Sequence, residues 1–406
     1  MKICGIICEY NPFHKGHEYH VLKTKKDTNC DVVIGIMSGN FAQRGIPTII
    51  DKWERTKTAL SSGVDLIIEL PAIFALSSAE IFAKGSIELL DKLNVVDYVS
   101  FGSECGDLNI INVIAEALAY EPFEFKIYLK KYLDTGLPFP RARALALSDY
   151  FKEKNISYDD FDKILNSPNN LLAIEYCKTL LKINSSITPF TIKRQGNGYN
   201  DIELKNAFAS ASAIREHLKS SNTNIKFLET YMTEKSIDLM QNLIAKEYKF
   251  IFPEAIFPFL KYKILTSENN IYKIPEASEG LDRKILKEIS NSVSLKELIE
   301  KVKSKRYTYT RISRILCQYF VGFEEYDIYS LRKSTPEYAR ILGFNSKGAA
   351  ILKEIKKSSS IKLITKVPKE CSDMLSLDLK ATRSYSVLNP FIDPYADFKT
   401  SPIITK

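Results

Sequence analysis

No stretch of this chain is apolar for as long as a bilayer is thick. The richest segment, Val64 to Ala83, is broken by Asp65, Glu69, Pro71 and Glu80, whereas a membrane helix needs ~20 residues almost free of charge. The N-terminus does not read as a secretory leader, because its apolar run stops at Glu9 before an h-region develops. No membrane partner is expected, and a cytoplasmic location follows. The seven cysteines, an odd number, are scattered at 4, 8, 30, 105, 177, 317 and 371, which excludes a disulfide framework. Cys4 and Cys8 on one strand stand roughly 13 Å apart at ~3.3 Å per residue. They can neither share an ion nor bond to each other, and buried thiols are expected. The chain also lacks internal repeats and low-complexity segments.

What remains is an ordinary globular composition, 45% hydrophobic and 26% charged over 406 residues, enough for two or three cores. The first hundred residues alternate strand and helix signals. Strands are expected at Ile3–Ile7, Val32–Met37, Val64–Ile68 and Val96–Phe101. Helices are expected at Gly16–Thr24, Lys52–Ser62 and Ala72–Leu93, with a loop from Ser38 to Pro47. Near-continuous apolar strands alternating with helices argue an α/β fold with a parallel sheet covered on both faces. Ligands then bind beyond the carboxyl ends of the strands. From about 109 to 181 the pattern is helical, with a break at Gly136-Leu137-Pro138-Phe139-Pro140. A strand at Thr188–Lys193, a Gly196-Asn197-Gly198 loop and a helix Ala213–Lys219 capped by Ser210-Ala211-Ser212 follow. The division expected is 1–220, one α/β domain with a helical insertion, and 221–406, a mainly helical basic domain.

Histidine is scarce, and its placement is informative. Three of the four, His14, His17 and His20, fall within seven residues after the first strand, and His217 stands far away. A strand, a tight loop with Gly16 and a helix start make a favourable phosphate site, because backbone N–H groups and the helix dipole favour negative charge. In His14-Lys15-Gly16-His17 the imidazoles are placed to stabilise charge on an α-phosphate under attack. Zinc is disfavoured, because i, i+3, i+6 spacing drifts around a helix and the H-E-x-x-H pair is absent. His20 reads as polar support one turn on. Ser212 and Arg215, at the start of a later helix, are candidates for the β- and γ-phosphates.

Residues 301–366 hold 15 Lys/Arg against 5 Asp/Glu, a net +10 in a chain of net +8. This suits either a polyanionic partner or a solvated lysine-rich surface.

Longer strings are specific. Glu9-Tyr10-Asn11-Pro12-Phe13-His14-Lys15-Gly16-His17, Ser38-Gly39-Asn40-Phe41-Ala42-Gln43-Arg44-Gly45, Asp65-Leu66-Ile67-Ile68-Glu69-Leu70-Pro71, Phe101-Gly102-Ser103-Glu104, Ser167-Pro168-Asn169-Asn170 and Ala209-Ser210-Ala211-Ser212-Ala213-Ile214-Arg215 occur in this order. The chain resembles the nucleotidylyltransferase superfamily and, within it, the bacterial tRNA(Met) cytidine acetate ligase family. Tyr338–Phe344 and Ala381-Thr382 extend the likeness more loosely. The resemblance implies a Rossmann-like parallel sheet and a ligase that activates acetate with ATP as acetyl-adenylate. The acetyl group then passes to N4 of the wobble cytidine of elongator tRNA(Met). It implies an ATP site on Ile7, Cys8, Glu9, Tyr10, Asn11, Pro12, Phe13, His14, Lys15, Gly16, His17, Glu18, Tyr19 and His20, together with Gly102, Asn169 and Arg194. His14 and His17 would carry the chemistry, with Ser212 and Arg215 assisting. Mg²⁺ is expected with the ATP, although no protein ligand set for a metal is assigned. On this reading Lys301, Lys303, Lys305, Arg306, Arg311 and Arg314, interleaved with Tyr307 and Tyr309, would meet RNA phosphates, and Arg141 and Arg143 would extend that surface. The acid pocket is expected near the Ser38–Gly45 loop. The same fold also serves ligases acting on small metabolites, and an RNA-binding protein with a relic nucleotide pocket would share these strings.

Overall fold

The computed structural model describes residues 1–156, 161–194, 209–220, 225–268 and 270–405. The expected Gly196-Asn197-Gly198 loop lies outside them. In chain order, β1 (Ile3–Cys8) leads to α1 (Lys15–Thr28), β2 (Val32–Ser38), a hairpin of β3 (Phe41–Ala42) and β4 (Ile46–Pro47), and α2 (Lys52–Ser61). Next come β5 (Leu66–Leu70), α3 (Ala72–Ala75), α4 (Ala79–Lys92) and β6 (Tyr98–Ser103). Helices α5 (Leu108–Tyr120), α6 (Phe123–Asp134), α7 (Phe139–Glu153), α8 (Phe161–Asn166) and α9 (Pro168–Lys182) separate β6 from β7 (Thr188–Lys193), and α10 (Ala211–Ser220) follows. Later come β8 (Tyr338–Phe344), β9 (Lys362–Ile364) and β10 (Ile403–Ile404).

Apart from the β3–β4 hairpin, the strands form one sheet in the order β10-β8-β5-β2-β1-β6-β7, with β9 also on β8. Neighbours run parallel except β5 and β8. The apolar runs behave as buried strands should. Val32, Ile34 and Ile36 of β2 join one core with Leu66, Ile68 and Leu70 of β5. Val33, Met37 and Ile67 turn to the opposite face and pack with Cys4, Ile6 and Cys8 of β1. This is the two-residue alternation of a pleated strand. The strand order reverses between β1 and β6, so the crevice beyond their carboxyl ends is the place where such a sheet binds a ligand.

Two expectations are corrected. The helix read over Ala72–Leu93 is two helices, α3 and α4, interrupted at Leu76-Ser77-Ser78. The carbonyls freed by the break accept from distant side chains, Leu76 from Gln318 Nε2 at 2.6 Å and Ser77 from Gln43 Nε2 at 3.2 Å. Non-local hydrogen bonds thus override a continuous helical pattern. The region after 221 also contributes more than helices. β8 pairs antiparallel with β5 through Leu66↔Phe344, Ile67↔Gly343 and Ile68↔Ile341, so the sheet itself crosses the division drawn at 220.

Candidate active site

The chain leaves β1 at Cys8 and turns sharply, with Tyr10 at φ 47°. Arg55 of α2, only 1% exposed, pins this turn to the next one. Its guanidinium donates to the carbonyls of Glu9 at 2.6 Å, Ser38 at 3.1 Å and Ile50 at 3.1 Å, and also to that of Gly39. Asn11 Oδ1 accepts from Ile49 N at 2.9 Å, and Glu9 Oε1 from Gln43 N at 2.7 Å. A buried cation and two side-chain acceptors therefore fix the loops after β1 and β2 against each other.

His14 is the N-cap of α1. Its Nδ1 accepts from Gly16 N at 3.1 Å, while His17 Nδ1 accepts from His14 N at 3.3 Å. The pair forms a capping box in which imidazoles replace the usual hydroxyl and carboxylate. The main-chain N–H groups from His14 to Glu18 are all consumed. Lys15 N donates to Tyr231 O at 3.0 Å, and His17 N and Glu18 N donate to His14 O at 2.8 and 3.1 Å. The amides expected to face phosphate at this helix start already have partners here, two on the imidazoles, two on His14 O and one on Tyr231 O. The same bonds dictate the donors that replace them. With each Nδ1 accepting, a neutral ring carries its proton on Nε2. Burial pushes the His14 pKa down to about 3, and the charges of Arg194 and Arg215 add to the effect. Burial likewise holds His17 well below the ordinary value, with His14 and Arg194 contributing. The rings stack with centroids 3.7 Å apart, and His17 also meets Tyr10 and Phe13 edge-on or tilted.

His20 donates to or accepts from Ser100 Oγ at 3.2 Å, and Ser100 in turn bonds Thr24 Oγ1 at 2.7 Å. Burial first, and Arg194 second, push its pKa to about 4. It anchors α1 to β6, as a supporting residue should.

A cavity of about 650 Å³ opens at the crevice. Of the residues expected at an ATP site, Ile7, Cys8, Glu9, Tyr10, Asn11, His14, Gly16, His17, Tyr19, His20, Gly102, Asn169, Arg194, Ser212 and Arg215 line it. Pro12, Phe13, Lys15 and Glu18 stand outside the lining. Pro12 and Phe13 are buried beneath the loop. Lys15 Nζ donates to the carbonyls of Glu229 at 3.0 Å and Thr230 at 2.7 Å, which ties the loop to the segment after α10. Arg215 reaches back to Asn11 O at 2.6 Å and to Ser212 Oγ at 2.9 Å. The cap of α10 is Ser210, whose Oγ accepts from Ala213 N at 3.1 Å, so the helix starts two residues earlier than expected. A Cβ on Gly102 would come 3.1 Å from Arg194 Cγ. Its absence leaves room along β6 for that side chain and a ligand.

Several cavity residues escaped the sequence reading. Glu104 does not line it but sets Asn169. Its carboxylate accepts from Asn169 N at 3.2 Å, Asn169 Nδ2 at 2.7 Å and Asn170 N at 2.8 Å, capping α9. Arg143, assigned to an RNA surface, lines the cavity and bonds Glu175 at 3.2 Å. Thr310 and Arg314 line it too, from the helix Tyr309–Val321. Arg311 does not extend freely into solvent, because its Nε and Nη2 donate to Glu276 O at 3.1 and 2.8 Å. No local signal marks these residues, since what joins them to the histidines is the fold. No group of three or more His, Cys, Asp or Glu among the described residues is arranged to hold a metal.

Comparison with known proteins agrees with this geometry. The family model described as HIGH Nucleotidyl Transferase matches residues 1–397. A tRNA(Met) cytidine acetate ligase of Clostridium perfringens is 52% identical over 408 residues, covering 100% of both chains, and one of Clostridium novyi is 50% identical over 406 residues with the same coverage. The crystal structure of apo Thermotoga maritima TmcAL superposes with a TM-score of 0.91 at 33% identity, covering 100% of this chain and 99% of that one. The form bound with alpha-thio ATP gives 0.89 at the same identity and coverage. The histidine box, the switch-point cavity and full-length identity of about half point the same way, and the chain belongs to the tRNA(Met) cytidine acetate ligase family of HIGH nucleotidyl transferases.

Proposed function

We propose that this protein is an ATP-dependent ligase that converts acetate to acetyl-adenylate and passes the acetyl group to N4 of the wobble cytidine of elongator tRNA(Met). The observation that carries the chemistry is the stacked His14–His17 pair. Both Nδ1 atoms are engaged as acceptors, which leaves two neutral Nε2–H donors, with Arg194 and Arg215 on the same cavity. In the first step an acetate oxygen forms a bond to the α-phosphorus, the bond to the bridging oxygen breaks, and pyrophosphate leaves. His14 and His17 donate to the phosphoryl oxygens as charge develops there, which neutral rings do without losing a proton. Arg215, with Ser212, assists at the leaving pyrophosphate. In the second step the cytidine amine attacks the acetyl carbonyl, AMP departs and the amine gives up a proton.

ATP fits the residues present. Gly102 leaves space beside Arg194, and Glu104 holds Asn169 at the cavity wall. Mg²⁺ would ride on the phosphates, since Glu9 of the cavity wall and Glu104 behind Asn169 already accept from main-chain N–H groups. We assign adenylate chemistry mainly, though not wholly, to residues 1–220 and tRNA contact chiefly to 221–406, where Lys303, Lys305 and Arg306 are exposed. The cytoplasm, where tRNA is modified, is the place of action. The test incubates the protein with ATP, labelled acetate and total bacterial tRNA. Label in tRNA supports the ligase. Adenylate without RNA labelling would mean a small-metabolite ligase, and ATP binding without either product would mean a relic pocket.

A further inference from the structure

The catalytic cavity is not built by the N-terminal half alone. The helix Tyr309–Val321 is bolted to the β3–β4 hairpin. Ser313 Oγ donates to Gly45 O at 2.9 Å. Gly45, at φ +78°, approaches so closely that a Cβ there would fall 2.3 Å from Arg314 N and 2.5 Å from Arg314 Cα. This contact delivers Arg314 to the cavity beside Gln43, Arg44 and Ile46 of the hairpin.

Arg314 differs from the arginines around it. Arg311 is held by Glu276 O, and Arg332 pairs with the Glu276 carboxylate at 2.9 Å. The one acid among these three arginines is thereby engaged. Among the described residues the Arg314 guanidinium forms no hydrogen bond or ion pair, and its Nε is buried without an acceptor. Partial burial lowers its pKa, with the nearby Glu276 carboxylate opposing the shift and Arg332 and Arg311 adding to it. Arg314 is half-buried, and a guanidinium whose inner N–H is shut off from water without an acceptor is stabilised by an anion that completes it. Its planar fork matches a carboxylate. Ile46, next to Gly45 in the chain, and Phe82 are apolar residues lining the same cavity and would suit a short alkyl group.

We propose that Arg314 seats the carboxylate of the small acid substrate, so that the C-terminal half completes the acetate subsite of the adenylation centre. The proposal rests on the ligase reading above. It places a residue of the basic region inside the first half-reaction, where no RNA is needed.

The test is acetate-dependent exchange between ATP and labelled pyrophosphate, without tRNA, on full-length wild type, Arg314→Met and Arg314→Lys. Methionine keeps most of the buried volume, and lysine keeps the charge without the fork. Losing a charge-assisted contact of this kind should raise the acetate KM of Arg314→Met on the order of 10- to 100-fold. The ATP KM should move less than about twofold, and Arg314→Lys should recover part of the loss. An acetate KM unmoved in Arg314→Met overturns the proposal, whether the variant is otherwise normal or needs more tRNA in the complete reaction. The second result would make Arg314 a phosphodiester contact. ATP and acetate KM values rising together would make it a packing residue and also overturn the proposal. Absence of acetate-dependent exchange in wild type is a separate result, and it overturns the ligase reading itself.

Discussion

Replacing His14 by asparagine should make the protein gain stability relative to wild type as the solution is acidified. Asparagine is a good N-cap acceptor, so the bond from Gly16 N can be kept. At neutral pH the variant loses the stacking contact with His17 at 3.7 Å, worth about 1 kcal/mol. In wild type, burial holds His14 at about 3, against roughly 6.5 in an unfolded chain. Between these values the unfolded state binds a proton that the folded state refuses, so wild-type stability falls as pH falls. The loss is about 1.4 kcal/mol per pH unit, or roughly 3 kcal/mol by pH 4.5. The variant escapes it, and the two stabilities should cross at about pH 6, the variant ending roughly 2 kcal/mol ahead. His17 and His20 are common to both proteins, so most of their contribution cancels in the difference. Urea unfolding followed by fluorescence of Trp53, the single tryptophan, measures this at pH 7.5, 6.5, 5.5 and 4.5. A stability difference that stays constant over that range would show that His14 titrates normally, and the neutral Nε2–H donor would lose its basis.

His17→Ala should lower acetate-dependent pyrophosphate exchange by at least about 10²-fold while tRNA retention on a filter is preserved, and full exchange would remove His17 from the chemistry. Gly45→Ala places a Cβ 2.3 Å from Arg314 N at φ +78°, which costs about 1–3 kcal/mol in strain, and a thermal midpoint equal to wild type would contradict that packing. Glu104→Gln weakens the charge-assisted bonds to Asn169 and Asn170, so the ATP KM should rise about 5- to 30-fold at roughly 1–2 kcal/mol, whereas an effect on kcat alone would argue against a positioning role.

Legibility differed between site residues for identifiable reasons. His14, Gly16 and His17 were readable because their roles come from neighbours three residues apart on one helix start. The direction of their hydrogen bonds was not. A sequence suggests that helix-start amides face a phosphate, and only the coordinates show that the two imidazoles, His14 O and Tyr231 O accept from them. Arg314 read as an RNA contact because it stands in a basic run, yet its surroundings are set by Gly45, 269 positions earlier in the chain. Glu104 read as part of a string at the sheet edge, and its partners Asn169 and Asn170 lie beyond four intervening helices, in the first turn of α9. The break between α3 and α4 was hidden because acceptors freed at Leu76 and Ser77 are satisfied by Gln318 and Gln43.

Sequence alone determined the period-two apolar strands, the parallel α/β core, the histidine cluster at the end of β1 and, through its long strings, the family. These depend on residues close in the chain, where pattern and propensity act directly. Tertiary structure alone decided that β8 closes the sheet against β5, that burial keeps the imidazoles neutral, and that a helix from the basic half forms a wall of the catalytic cavity. Each of these is a matter of desolvation or contact between segments hundreds of residues apart, and no local pattern records which segments will meet.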